Sequence, residues 1–207
     1  MAAPVRLQQF RVGPYLNFTY LVSDDDGEAA VVIDPSYGIA PVLEAIDALH
    51  VPVRYILNTH SHPDHVAGNP EVRQKTGAKV VAHRVAPLEQ DVSVDDGDRV
   101  RAGGLSIEVI HTPGHTKDSV LYLFAGHVAT GDTLFVGECG RTDLPGGDPS
   151  ALYDSLLGRV IHLDDALVVL PGHDYGTTPT STIGREKEEN YTLRPRTREE
   201  FLAFLAE

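Results

Sequence analysis

Short apolar runs alternate along this chain with stretches whose apolar positions recur at helical spacing. Leu7–Val12, Phe18–Val22 and Ala29–Ile33 read as successive strands, with Asp24-Asp25-Asp26-Gly27 as the turn between the last two. Pro41 opens a helix whose apolar face is Val42, Leu43, Ile46 and Leu49. Val53–Leu57 is the next strand, and Glu71–Thr76 a short helix ended by Gly77. Lys79–Ala82, Leu105–Ile110, Val120–Phe124 and His127–Ala129 add strands. Ala151–Leu157 reads as a helix, Leu167–Leu170 as a strand, and Ile183–Asn190 and Arg198–Ala206 as helices. Strands in a meander, then strands mixed with helices, imply a layered α/β sandwich. No linker, low-complexity tract or composition break divides the chain, so residues 1–207 are expected to form one domain.

The ends of the predicted strands carry an unusual set of side chains. Residues 59–65 read Thr-His-Ser-His-Pro-Asp-His, which packs His60, His62, Asp64 and His65 into six positions. Imidazole and carboxylate are ligands for zinc and iron, and a His-x-His pair in extended backbone sends both rings to one side. Pro63 is expected to keep this motif a shaped loop rather than a regular helix. Tyr55–His60 and Val168–His173 share one pattern: an apolar strand, two turn residues and a histidine. Ile107–Ile110 likewise leads through a short turn to His115, and Val128-Ala129 leads to Asp132. All these side chains therefore sit in loops just past buried strands, where a rigid scaffold can present them on one edge. His50, His83, His111, His127 and His162 lack this placement and are read as non-ligands.

Seven candidate ligands, His60, His62, Asp64, His65, His115, Asp132 and His173, exceed what one catalytic metal needs. Two adjacent divalent metals sharing a carboxylate account for them economically, with zinc foremost and iron or manganese as alternatives. Asp132, arriving alone from its own loop, is the natural bridge. Such a pair would bind a water and bring its pKa toward neutrality. Asp64 and Asp132 are the expected catalytic carboxylates.

Composition narrows the partners. Hydrophobic content of 42% and charged content of 23% are those of a globular protein, and a formal charge of -13 argues against a nucleic-acid surface. No segment has the apolar length of a membrane span or a signal peptide, and Cys139 stands alone, so a cytoplasmic protein without disulfides is expected. Cys139 reads as a packing residue. Arg185, Lys187, Arg194, Arg196 and Arg198 make the late segment less acidic and read as a solvated helix face.

Thr-His-x-His-x-Asp-His, Pro-Gly-His, Gly-Asp and a late Gly-His, in this order, resemble the metallo-β-lactamase superfamily over nearly the whole chain. The resemblance implies a four-layer αββα sandwich with metals at one edge. It also implies that His60, His62, His115 and Asp132 bind a first metal, and Asp64, His65, Asp132 and His173 a second.

Two branches of that family fit. Gly140–Asp148 and Ser181–Gly184 with Glu186 resemble single-domain glyoxalase II enzymes, which implies attack of metal-bound hydroxide on a glutathione thioester. Cys139–Asp143 and His173-Asp174-Tyr175 resemble persulfide dioxygenases, which implies one Fe(II) held by His60, His115 and Asp132. Arg141 is expected to grip a substrate carboxylate and Tyr175 to hydrogen-bond it, unless Arg141 pairs with Asp143 or Asp148. The larger glyoxalase II enzymes contact glutathione through a C-terminal helical domain that has no counterpart here, so those contacts are not carried over. The sequence reading is thus a glyoxalase-II-like thioester hydrolase. Its alternative is a glutathione persulfide dioxygenase, and a third reading is a non-catalytic metal-binding protein. Its partner is a small thiol or thioester, and the oligomeric state is left open.

Overall fold

The structure, a computed structural model, describes residues 4–206. One six-stranded sheet runs in the order β1 (Val5–Val12), β2 (Asn17–Asp24), β3 (Ala30–Ile33), β4 (Val53–Leu57), β5 (Lys79–His83) and β6 (Val92–Val94). β1 to β3 are antiparallel, and β3 to β6 pair in parallel through connections that carry α1 (Ala40–Leu49), α2 (Pro63–Val66) and α3 (Asn69–Thr76). The second sheet contains β7 (Arg99–Ala102), β8 (Leu105–His111), β9 (Val120–Phe124), β10 (His127–Gly131), β11 (Val168–Pro171) and β12 (Ser181–Thr182), in reverse order across its width. α4 (Pro149–Gly158), α5 (Ile183–Glu189) and α6 (Arg198–Leu205) cover its outer face.

Strand alternation builds the layers. In β2 and β3, Phe18, Tyr20, Val22, Val31 and Ile33 face the second sheet, where they meet Ile107, Val109 and Phe124. Their neighbours Leu21, Ala30 and Val32 point the other way, onto Val42 and Ile46 of α1 and Val72 of α3. Leu121, Val128 and Val169 of the second sheet pack on Leu152 and Leu156 of α4 and Phe201 of α6. The result is helix, sheet, sheet, helix, as expected. Each large aliphatic or aromatic side chain buried this way contributes about 1.5–3 kcal/mol.

The sheets also hold each other through two buried tyrosines, one from each. The Tyr20 hydroxyl on β2 donates to the Pro171 carbonyl at the end of β11, at 2.6 Å. The Tyr122 hydroxyl on β9 donates to the Asn58 carbonyl just past β4, at 3.0 Å. Both bonds land at the same edge of the sandwich, immediately before His173 and His60.

Several elements differ from the sequence reading. β6, β7 and β12 are short strands at sheet margins with too little apolar periodicity to stand out. Pro63 does not keep its segment free of helix. It occupies the first turn of α2, where its fixed φ and missing N–H cost nothing.

Candidate metal centre

Four strand ends deliver the predicted ligands to one edge. After β4, His62 stays extended and α2 then makes a single turn, closed by the His65 N–H on the His62 carbonyl at 2.9 Å. That turn folds Asp64 and His65 back beside His60. β8 leads through Pro113-Gly114 to His115, and Gly114 adopts φ +148° while packing directly on the backbone of Leu152 in α4. β10 leads to Asp132. β11 leads to His173 through Gly172, whose missing Cβ leaves room for Asp132 Oδ1 and the His65 ring.

All seven candidates converge. His62 Nδ1 lies 3.1 Å from His60 Nε2 and 2.9 Å from His115 Nε2. Asp64, His65 and His173 form a second group: His65 Nε2 and His173 Nε2 are 3.1 Å apart, and Asp64 Oδ2 lies 3.6 and 3.4 Å from them. Asp132 stands between the groups. Its Oδ1 is 3.3 Å from His65, and its Oδ2 is 3.4 Å from His115 and 3.3 Å from His173.

The outer ring nitrogens decide which lone pairs face inward. His115 Nδ1 donates to the Arg141 carbonyl at 2.7 Å, and His173 Nδ1 to the Tyr15 carbonyl at 2.8 Å. His65 Nδ1 donates to Asp34 Oδ2 at 3.1 Å. The Thr59 hydroxyl donates to Asp34 at 2.6 Å and so accepts from His60 Nδ1. Each Nε2 is therefore left as an acceptor pointing at other acceptors. Ligands about 2.0–2.1 Å from a tetrahedral metal lie about 3.3 Å apart, close to the spacings found here. Buried Asp132 Oδ1 accepts no hydrogen bond from the protein. This donor set fits a metal, and its anchored rings are the outer support that metal-binding histidines need.

Electrostatics point the same way. Burial, reinforced by the other imidazoles, holds His60 well below the usual histidine range, and burial with His115 lowers His62. Both are neutral and ready to ligate. Burial opposes the charge on Asp132, but His65, His173 and His60 outweigh it and hold the carboxyl well below its ordinary value. His65 feels burial against its charge too, yet Asp132, Asp34 and Asp64 lift it to about 9. Without a cation, a proton would hold this cluster together.

Two supporting residues carried no sequence signal. Asp34, buried just past β3 at φ +48°, accepts from the Thr59 N–H and hydroxyl and from His65. Asn17, buried at the start of β2, donates through Nδ2 to Asp64 Oδ2 at 2.9 Å. The other histidines lie elsewhere: His111 stacks on His83 at 4.0 Å, and His127 stacks on Phe124. Cys139 is buried, which pushes its thiol up to about 12.

A groove of about 1440 Å³ opens over the centre. Arg141 and Tyr175 both line it. The Arg141 guanidinium makes paired 2.6 Å bonds to Asp143, while Tyr175 stacks on His173 with ring centroids 4.6 Å apart.

A sequence profile of the metallo-β-lactamase superfamily matches residues 12–89 and 84–173. The chain belongs to the metallo-β-lactamase superfamily. It is similar to persulfide dioxygenase ETHE1 of Homo sapiens, at 35% identity over 94% of this chain and 76% of that one. The crystal structure of ETHE1 from Myxococcus xanthus superposes with a TM-score of 0.92 at 36% identity, covering 97% of this chain and 90% of that one. The hydroxyacylglutathione hydrolase of Anaeromyxobacter dehalogenans is 41% identical over 77% of this chain but 62% of its own length. The chain is an enzyme of that superfamily, and its convergent His/Asp cluster is of the metal-binding type typical of it.

Proposed function

We propose that this superfamily member is a persulfide dioxygenase working with one iron held by His60, His115 and Asp132. The observation that carries the reading is coverage. The match to ETHE1 spans 94% of this chain in sequence and 97% in fold, against 77% and 87% for the hydroxyacylglutathione hydrolases of Anaeromyxobacter dehalogenans and Rhodospirillum rubrum. Two imidazoles and a carboxylate on one face leave positions open for dioxygen and a sulfur ligand. The overall reaction is R–S–SH + O₂ + H₂O → R–SH + sulfite + 2 H⁺. The sulfane sulfur gives four electrons to dioxygen, and the S–S bond breaks.

Iron, when bound, would supply coordination sites and a redox centre through which electrons pass from the sulfur to dioxygen. The protein does the rest. Thr59 and the Arg141 carbonyl fix the tautomers of His60 and His115. His62 sits between His60 and His115, while Asp64, His65 and His173 form the neighbouring group around Asp132; these side chains are basic groups beside the centre that we assign to the protons released in the reaction. Arg141 and Tyr175 flank the approach; we assign Tyr175 to the substrate, and Arg141 through the donors that its exposed pairing with Asp143 leaves open.

A second reading, a thioester hydrolase with two metals, is favoured by one observation. Asp64, His65 and His173 are already gathered as a second ligand group around Asp132. Metal analysis joined to two assays separates the readings: oxygen uptake with glutathione persulfide, and cleavage of S-lactoylglutathione. One iron per chain with oxygen uptake and negligible thioester cleavage is expected. Two metals per chain without oxygen uptake would overturn the dioxygenase.

A further inference from the structure

We propose that Glu186 and Asn190, at the two ends of one buried face of α5, are positioning residues for Tyr175 and act through the turn at residues 134–139. The inference rests on the dioxygenase reading only for the substrate of its kinetic arm. It begins from a stretch that the metal centre leaves unexplained, Ser181-Thr182-Ile183-Gly184 with Glu186. The Thr182 hydroxyl caps α5 by accepting the Arg185 N–H at 3.2 Å, and Ile183 is fully buried. Gly184 lets this first turn lie against Asp165, whose Cβ would stand 3.0 Å from an added Cβ. So seated, α5 sends Glu186 and, four positions on, Asn190 to the same inner face. They are 2% and 0% exposed. Glu186 has no ion-pair partner among the described residues, because Arg185 pairs with Glu189. Burying a carboxylate on hydrogen bonds alone is costly, so the packing of α5 does not account for this side chain.

What the two side chains hold is one turn. Glu186 Oε2 accepts the Gly137 N–H at 2.8 Å and a hydrogen of Asn190 Nδ2 at 2.9 Å. The other hydrogen of Asn190 Nδ2 serves the carbonyls of Glu138 and Phe135, at 3.1 and 3.4 Å. Asn190 Oδ1 is itself fixed by the Thr192 N–H and hydroxyl. From the turn held in this way, Phe135 meets the rings of His173 and Tyr175 edge-on, with centroids 5.8 and 5.3 Å apart. Gly176 lies against the next residue, Val136, whose Cβ an added Cβ would approach to 2.5 Å. The loop that carries Tyr175 therefore rests on two consecutive residues of the anchored turn. Packing alone does not hold this pair of loops. Both border a cavity of about 540 Å³ whose remaining wall is Arg185, Glu186 and Glu189, and Tyr175 is 54% exposed. Without the Glu186 acceptor the turn has space to shift, and Tyr175 shifts with it. His173 keeps its own tie to the Tyr15 carbonyl, so the metal centre stays.

The test has two arms. Zinc-loaded full-length protein labelled with 3-fluorotyrosine gives one fluorine NMR signal per tyrosine, and Tyr175→Phe assigns that of Tyr175. The expected result is a displaced Tyr175 signal in Glu186→Ala and its return in Glu186→Gln, whose carbonyl can accept both bonds of Oε2. The signals of Tyr20 and Tyr122, assigned the same way, should not move. In iron-loaded protein, Glu186→Ala should raise KM for glutathione persulfide about fivefold and leave kcat and iron content within about twofold, the split that marks a lost binding contact. On a Tyr175→Ala background the same substitution should leave KM unchanged, because its effect runs through that ring. A role in stability alone would lower the urea midpoint without moving the Tyr175 signal or KM of the folded protein. Glu186→Met, which keeps the volume and removes the acceptors, replaces a Glu186→Ala protein that does not fold. An unmoved Tyr175 signal, no recovery in Glu186→Gln, or KM effects that simply multiply with those of Tyr175→Ala would overturn the inference. If the parent takes up no oxygen, the dioxygenase reading fails, and the fluorine arm decides the present point by itself.

Discussion

Asp34→Asn tests whether the metal centre depends on a carboxylate outside the ligand set. Asp34 is 2% exposed and accepts three bonds: Thr59 N–H at 2.7 Å, Thr59 hydroxyl at 2.6 Å and His65 Nδ1 at 3.1 Å. Asparagine keeps the size and tolerates the positive φ of this position, so the backbone is not the variable. Its amide has two orientations and neither fits. With Nδ2 in place of Oδ2, a donor faces the Thr59 hydroxyl and His65 Nδ1. His65 must then move its proton to Nε2, the nitrogen needed for metal. With the amide turned over, the donor faces the Thr59 N–H. A buried donor left without an acceptor costs about 1–3 kcal/mol of stability. Loss of an outer partner costs about 10–100-fold in metal affinity, or about 1.4–2.7 kcal/mol. The affinity is read by competition with a chromophoric chelator at near-neutral pH, and the stability by urea unfolding of the metal-free protein. An Asp34→Asn protein that binds metal within twofold of the parent and unfolds at the same urea concentration would refute the reasoning.

Other substitutions probe separate parts of the argument. Asp132→Ala should strip the metal under either functional reading, and full retention by elemental analysis would remove Asp132 from the ligand set. Asn17→Leu takes the donor from Asp64 Oδ2, so zinc held by Asp64, His65 and His173 should weaken about tenfold while zinc on the other group does not; equal loss at both in a two-site titration contradicts this. Gly114→Ala places a Cβ within 2.5 Å of Leu152 N and Cβ at φ +148°, and should cost more than about 3 kcal/mol in urea unfolding. Asp24 accepts N–H groups from Glu28, Ala29 and Gly104; burial opposes its charge, but these bonds prevail and hold its pKa below the ordinary carboxylate value. Its stabilisation is therefore complete above the unfolded-state value and lost as the pH falls through the folded one. Unfolding curves of parent and Asp24→Asn should differ most near pH 7 and approach each other in acid, below the ordinary carboxylate range.

The parts of this molecule legible in its sequence are those set by local pattern. The apolar run Phe18–Val22 reflects a strand buried on both faces, and Pro41 and Gly77 mark helix ends by their own backbone preferences. The ligand loops were visible because histidines recur just past apolar runs, and the family resemblance gave their grouping. Long-range partnerships were not visible. Asp34 reads as one more polar residue after a strand, and its importance depends on Thr59 and His65, 25 and 31 positions away. Asn17 likewise acts on Asp64 across 47 positions. α2 was missed because a proline suppresses helix in the interior of a segment but is well suited to its first turn. The pairing of Arg141 with Asp143, one of two alternatives open in the sequence, depends on a loop conformation that spacing alone does not specify.

The two tyrosine bonds between the sheets have a consequence for how metal leaves. His60, His62, Asp64 and His65 belong to one sheet, and His115, Asp132 and His173 to the other. A metal held by both is a clasp across the seam. Tyr20 ties the first sheet to the base of the His173 loop, and Tyr122 ties the second to the base of the His60 loop. To part the sheets at this edge is to break both ties, so loosening of the seam should spread the two ligand halves and speed release of the ion. The packing of Tyr20, Tyr122 and their neighbours should then add to the ligands in setting the lifetime of the bound metal, and metal lost slowly at rest should escape faster once the core is loosened.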